Sequence, residues 1–144
     1  MLVSQILKSK PTGGVFTIPP DTSVADAASV LSQKRIGALI VSADGANPDG
    51  IISERDIVRE LGRRGPACMA DKVSDLMTAD LVTCEGDCLT DEVLGRMTEG
   101  RFRHMPVMEA GAMIGLISIG DVVKARLEEL SHENSALQGM IMGH

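Results

Sequence analysis

Nine residues written twice constrain this chain more than any other feature. Gly50-Ile51-Ile52-Ser53-Glu54-Arg55-Asp56-Ile57-Val58 returns as Gly115-Leu116-Ile117-Ser118-Ile119-Gly120-Asp121-Val122-Val123, 65 positions later. Toward the N-terminus the correspondence continues at a spacing of 66, pairing Thr17 with Thr83, Asp21 with Asp87 and Val41 with Val107. Earlier still, Val3-Ser4-Gln5-Ile6-Leu7 resembles Val73-Ser74-Asp75-Leu76-Met77 at a spacing of 70. The shifts place one extra residue of the first copy in the turn after Val41 and four in the stretch from Lys10 to Gly14. Two copies of one supersecondary unit therefore fill the chain.

Each copy has the same order of predicted elements. A short helical turn (Val3 to Leu7; Val73 to Met77) leads into a strand (Val15 to Ile18; Leu81 to Cys84). An amphipathic helix follows, carrying Val24, Ala27, Ala28 and Leu31 in the first copy and Thr90, Val93, Leu94 and Met97 in the second, at helical spacing. Thr22 or Ser23 can cap the first of these helices. A strand (Ala38 to Val41; Met105 to Met108), a turn marked by Asp44-Gly45 or by Gly111, and a third strand (Gly50 to Ser53; Gly115 to Ser118) come next. Ser53 and Ser118 stand where the strand closes and the last helix opens, near Asp56 or Asp121. The order is β-α-β-β-α in an α/β (α+β) fold, with a first repeat at 1–65, a second at 66–130 and a helical tail at 131–144. The segment from Gly62 to Lys72, with Gly65-Pro66, reads as the linker.

With 144 residues, the chain can build one compact unit or two small ones that share a core. Aromatic residues make up only 1%, so Val, Ile, Leu, Ala and Met must fill that core. A net charge of −6 opposes a general affinity for nucleic acid. No apolar stretch is long enough for a membrane span. Cys68, Cys84 and Cys88 form no CxxC pair, which fits a reducing, cytoplasmic setting.

The doubled G-[IL]-I-S-x-x-D-[IV]-V ending, with intervening elements of matching length, resembles the CBS (cystathionine-β-synthase) domain family, two copies of which form a Bateman module. The resemblance runs from Val3 to about Leu130. It implies two repeats packed about a pseudo-two-fold axis, with two clefts between them that bind adenine nucleotides. AMP, ATP and NAD(H) are the expected ligands, with S-adenosylmethionine ranked behind them. It also implies a homodimer and an unknown regulated protein, and no catalytic cofactor.

Residue by residue, the resemblance makes Asp56 and Asp121 the carboxylates for ribose hydroxyls, a cis-diol that a carboxylate can accept from twice. Ser53 and Ser118 match the hydroxyl that contacts ribose or phosphate. The positions before the second strand match the phosphate and base contacts: Ile36, Gly37, Ala38 and Leu39 in one copy, Phe102, Arg103, His104, Met105 and Pro106 in the other. By the same analogy the Asp121 cleft takes Gly14, Val15 and Phe16 with Ile36 to Leu39, and the Asp56 cleft takes Thr78 to Val82 with Phe102 to Met105. Arg55 has Gly120 as its counterpart, so the Asp56 cleft is expected to hold a phosphorylated nucleotide more tightly. Arg55 reads equally well as half of a surface ion pair.

Several signals have plainer readings. An acidic residue near a helix start is common on any helix, and only its repetition after Gly-x-Ile singles out Asp56 and Asp121. Cys84 and Cys88 have no neighbouring His to complete a metal set. No nucleophile, P-loop or GxGxxG accompanies the carboxylates, so the expected role is a non-catalytic regulatory module, with a structural or dimerisation module of vestigial clefts as the alternative. Leu137, Met140 and Ile141 give the tail a helical spacing, directed either at its own module or at a partner subunit.

Overall fold

The computed structural model describes residues 1–10 and 15–141; Gly14 and the rest of the four-residue excess after Lys10 lie outside these, as do 142–144. The elements run α1 (Val3–Ser9), β1 (Thr17–Ile18), α2 (Val24–Lys34), β2 (Ala38–Val41), β3 (Gly50–Ser53), α3 (Glu54–Arg64), a 3-10 turn (Pro66–Ala70), α4 (Val73–Leu76), β4 (Cys84–Glu85), α5 (Thr90–Gly100), β5 (His104–Glu109), β6 (Ala112–Ser118) and α6 (Ile119–Ile141). The β-α-β-β-α order occurs twice, each time behind a short leading helix.

The polypeptide forms two compact units whose boundaries cross the repeat boundary. One comprises Gly14–Val82 and Ala110–Ile114; the other comprises Met1–Gly13, Thr83–Glu109 and Gly115–His144. Each leading helix therefore belongs with the body of the other repeat: α4 with the first, α1 with the second.

In the first unit, β1 runs parallel to β2 with Thr17 opposite Ile40, and β2 runs antiparallel to β3 with Ala38 opposite Ser53 and Val41 opposite Gly50. Both faces of β2 are buried, which is why Ala-Leu-Ile-Val shows no polar alternation. Ile18, Val24, Ala27, Leu31, Leu39, Val41, Ile52, Ile57 and Val73 form one apolar core. Of the two candidate caps of α2, Ser23 does the capping and accepts the Asp26 N–H at 3.1 Å. Val73, from α4, is fully buried in this core. Its main chain is held as well, since the Val73 N–H donates to the Thr22 carbonyl and the Val24 N–H to the Asp71 carbonyl, both at 2.8 Å.

The expected linker is an ordered part of this unit. α3 continues to Arg64, Pro66 starts the 3-10 turn where its missing N–H costs nothing, and Cys68 is completely buried. The Arg64 guanidinium bridges Glu60 and Asp71, fastening the end of α3 to the residue after the turn.

The second unit repeats the plan. β4 runs parallel to β5, and β6 lies on the other side of β5. Val3 and Ile6 of α1 join Cys84, Val93, Met97, Met105, Val107, Ile117, Val122 and Ala125 in its core. The main-chain bonds of the first unit have their counterparts here, with the Val3 N–H donating to the Cys88 carbonyl and the Thr90 N–H to the Met1 carbonyl, both at 3.0 Å. β1 and β4 are shorter than the spans expected from sequence. Phe16 still accepts from the Ile40 N–H without extending β1, and the Thr83 carbonyl is taken by the Arg96 guanidinium at 2.9 Å.

Close approach explains Gly50, which opens β3, and its counterpart Gly115, which lies within β6. A Cβ on Gly50 would lie 2.5 Å from the Met77 sulfur and 3.0 Å from the Thr78 carbonyl, and one on Gly115 would lie 2.6 Å from a Leu7 methyl. Leu7 and Met77 are themselves repeat counterparts. Gly50→Ala is expected to cost about 1–3 kcal/mol in urea unfolding, because a main-chain carbonyl must also move. Gly115→Ala should cost less, since only the flexible end of Leu7 has to give way.

Candidate functional site

Both candidate stations are built at the point where the third strand hands over to a helix. Ser53 ends β3 in an extended conformation, and the first N–H groups of α3 lack intrahelical partners. The Asp56 N–H donates to Ser53 Oγ at 3.3 Å, while Asp56 Oδ2 accepts from the Ser53 N–H at 2.8 Å and from the Ser53 hydroxyl at 3.0 Å. This is a reciprocal capping box, and it holds the carboxylate at the mouth of the helix. Oδ1 accepts from the Arg59 guanidinium at 2.8 Å. Asp56, only 8% exposed, is the one buried charged side chain among the described residues.

Main-chain bonds fix what surrounds it. The Glu54 N–H donates to the Gly37 carbonyl at 3.0 Å, joining the start of α3 to the residue before β2. Ile51 and Thr78 exchange N–H···O bonds of 3.0 and 2.9 Å, so Thr78 lies along the edge of β3. Thr78 and Val82 are exposed, Ile36 and Gly37 are half-buried, and the Ala38 side chain is buried. Val15 and Phe16 are half-buried, and the Lys34 ammonium sits 4.4 Å above the Phe16 ring. Arg55 is exposed, and its side chain makes no hydrogen bond or ion pair among the described residues.

The station at Asp121 has the same backbone with different occupants. Asp121 Oδ2 accepts from the Ser118 N–H at 2.9 Å, and the Asp121 N–H donates to Ser118 Oγ at 3.1 Å. The third partner is Lys10, whose ammonium donates to Asp121 Oδ2 at 3.0 Å and to the Leu116 carbonyl at 2.8 Å. Among the described residues no group donates to Oδ1. The Ile119 N–H donates to the Arg103 carbonyl at 2.8 Å, the counterpart of the Glu54–Gly37 bond. Thus hydrogen bonds tie each strand start to the carboxylate helix of its own repeat, so Phe102 to Met105 share a unit with Asp121, and Ile36 to Leu39 share one with Asp56.

The remaining second-copy residues fall into two groups. Arg103 is exposed and His104 half-buried, whereas Met105 is completely buried in the core and Phe102 packs against it. Gly120 is exposed, and a Cβ there would meet nothing closer than Ser118 Oγ at 3.6 Å, so the glycine leaves space that crowding does not require. Two site cations escape sequence reasoning. Lys10 sits at the edge of the unmatched stretch between the repeats, where nothing in the second copy corresponds to it. Arg59 did leave a signal, because its counterpart 65 positions on is Lys124.

Burial pushes the Cys84 thiol up to about 11, with the nearby Cys88 adding to the effect, so it stays protonated near neutral pH. Among the described residues no group of three His, Cys, Asp or Glu side chains could hold a metal ion. No helix among them is long and apolar enough to cross a membrane.

The CBS domain model matches this chain twice, at residues 3–63 and 73–128, and the chain belongs to that family. A mitochondrial CBS domain-containing protein of Arabidopsis thaliana, CBSX3, is 35% identical over 98% of this chain and 72% of its own length. Of another CBS domain-containing protein from that plant, 31% identical over 89% of this chain, the match spans only 24%. The crystal structure of a CBS-domain protein from Agrobacterium tumefaciens superimposes with a TM-score of 0.82 at 44% identity, covering 88% of this chain and 99% of that one.

Burial alone would raise the pKa of Asp121, but the Ser118 backbone N–H and the Lys10 ammonium outweigh it and the net shift is downward. A carboxyl lowered in the folded state contributes stability that is present above the unfolded value, about 3.9, and is lost as pH falls through the folded value. Carbon-detected NMR titration should therefore find Asp121 below an ordinary aspartate. In Lys10→Met it should titrate higher, and acid unfolding should begin at a higher pH. An unmoved titration would mean that Lys10 does not hold the carboxylate in solution.

Proposed function

We propose that this chain is a non-catalytic regulatory module that binds an adenine nucleotide at its Ser-x-x-Asp stations and passes occupancy to another protein. The observation that carries this reading is the pair of carboxylates fixed at helix mouths, one beside Arg55 and Arg59 and the other beside Lys10, with Arg103 and His104 in its unit. A carboxylate next to a cation suits a ligand with a cis-diol at one end and phosphate at the other. A CBS domain protein of the same fold from Pyrobaculum aerophilum has been solved in complex with AMP, and a CBS domain pair in complex with 5′-methylthioadenosine and S-adenosyl-L-methionine. At 22% and 24% identity those structures share the fold, so the choice of ligand here rests on the residues.

AMP, ATP and NAD(H) are the ligands proposed, since each offers phosphate to the cations. We rank the two stations in the opposite order to the one expected from the sequence. Asp56 is buried and accepts three hydrogen bonds, whereas Asp121 is more open and, among the described residues, nothing donates to its Oδ1. Lys10 can exchange the carboxylate for phosphate when a nucleotide enters, so the Asp121 station is proposed as the tighter one. Regulation further requires unequal affinity for two states of the module. A homodimer, a separate regulated protein and a cytoplasmic location complete the proposal, the last supported by three free cysteines.

A second reading, a structural module with vestigial stations, is favoured by one observation: at both stations the aspartate already serves as the cap of its own helix. Calorimetry separates the two. The regulatory reading expects micromolar-class binding of at least one of AMP, ADP, ATP or NAD(H), and silence across that panel with folded protein supports the structural one. Asp121→Ala should weaken the tighter step about ten- to a hundred-fold, the loss of one charge-assisted contact, while Asp56→Ala affects mainly the weaker step. Lys10→Met should weaken AMP about ten-fold more than adenosine, because only AMP offers the ammonium a phosphate.

A further inference from the structure

α6 continues well past the fold it starts from. It runs 23 residues, from Ile119 to Ile141, about 34 Å at a rise of 1.5 Å per residue, whereas the family match ends at residue 128. Val122 and Ala125 bury its first turns in the core, but every residue from Ser131 to Gln138 is exposed. So short a helix end with no buried face is marginal in water and needs a partner to persist.

Its apolar residues define where that partner sits. Val123, Leu127, Leu130 and Leu137 are all exposed, Leu127 by 62% and Leu137 by 55%. With Asn134 between the last two, the steps are four, three, four and three, and the sequence reaches Ile141 after a further four. This is a heptad seam, with Leu127 and Asn134 at a positions and Val123, Leu130 and Leu137 at d positions. We propose that the seam pairs with the same helix of a second copy of this chain, as a parallel, in-register two-stranded coiled coil.

Asn134 chooses the partner and its direction. Facing an apolar surface, its amide would lose its water and gain no hydrogen bond. A second copy in the same direction sets Asn134 against Asn134, amide to amide, and leucine against leucine at 127, 130 and 137. A single polar a position of this kind fixes register and a two-stranded state. A reversed copy that keeps Leu127 opposite Leu137 places Leu130 against Asn134 and Glu133 against Glu133, two mismatches at once. In the parallel pair the flanking residues Arg126 and Glu133 face Ser131 and Gln138, with no like charges opposed. The pairing stands whether or not the module binds nucleotides.

Disulfide trapping of the full-length chain tests it. Under mild oxidation Leu137→Cys should cross-link into a covalent dimer for most of the protein, while His132→Cys, on the outer side of the same helix, should not, with the unsubstituted chain as the background for the native cysteines. Sedimentation should show a dimer for the unsubstituted chain and about ten-fold or weaker association for the Leu130→Glu/Leu137→Glu double variant, with loss of helical circular dichroism. A monomeric unsubstituted chain would overturn the proposal, and so would a dimer in which Leu137→Cys cross-links no better than His132→Cys.

Discussion

The close packing of a short leading helix against a glycine is the contact on which the rest of this structure depends. Met77 lies over Gly50 and Leu7 over Gly115, and in each unit the helix and the strand come from different repeats. Main-chain bonds at Val73 and Val24, and at Val3 and Thr90, hold the same arrangement from the other end. Each repeat by itself would leave the apolar side of its three-stranded sheet without Val73, or without Val3 and Ile6. Exchanging leading helices closes both cores, so neither repeat has a complete core until the other has been made.

That exchange also positions the candidate stations. Once α4 is seated, Thr78 pairs with Ile51 on the edge of β3, two residues before Ser53; once α1 is seated, Lys10 reaches Leu116 and Asp121. The groups beside each aspartate are therefore delivered by the same segments that complete the cores. Ser53 and Ser118 serve two ends at once, since the bonds that cap α3 and α6 also orient the carboxylates. A substitution at either serine would disturb both helix and station, whereas a change at Lys10 alters the Asp121 station and leaves the Ser118–Asp121 cap of α6 in place.

The two stations diverge in how their carboxylates are satisfied. Arg59 comes from the helix that Asp56 itself begins, so that pair is local and persists wherever α3 forms. Lys10 comes from 111 positions away, so its bond to Asp121 depends on the tertiary fold. A long-range cation on a half-buried carboxylate, to whose second oxygen nothing donates among the described residues, is easier to displace than a local one on a buried carboxylate.

Much of this was readable in the sequence because it depends on local periodicity. The repeat fixed the number of elements and their order, β2 and β3 fall at the predicted residues, and Ser-x-x-Asp announced both helix caps, since a cap needs only a serine and an acceptor three residues apart. What the sequence could not reveal was which parts go together. The exchange of α1 and α4, the ordering of the expected linker around Cys68, and the seating of Lys10 on Asp121 all join residues far apart in the chain, and no period within one repeat encodes them. The heptad in α6 was half legible, as helical spacing at Leu137 and Ile141. Only the tertiary structure showed that Val122 and Ala125 face the core while Val123, Leu127 and Leu130 are left outside, because which side of a helix is buried is decided by what packs against it.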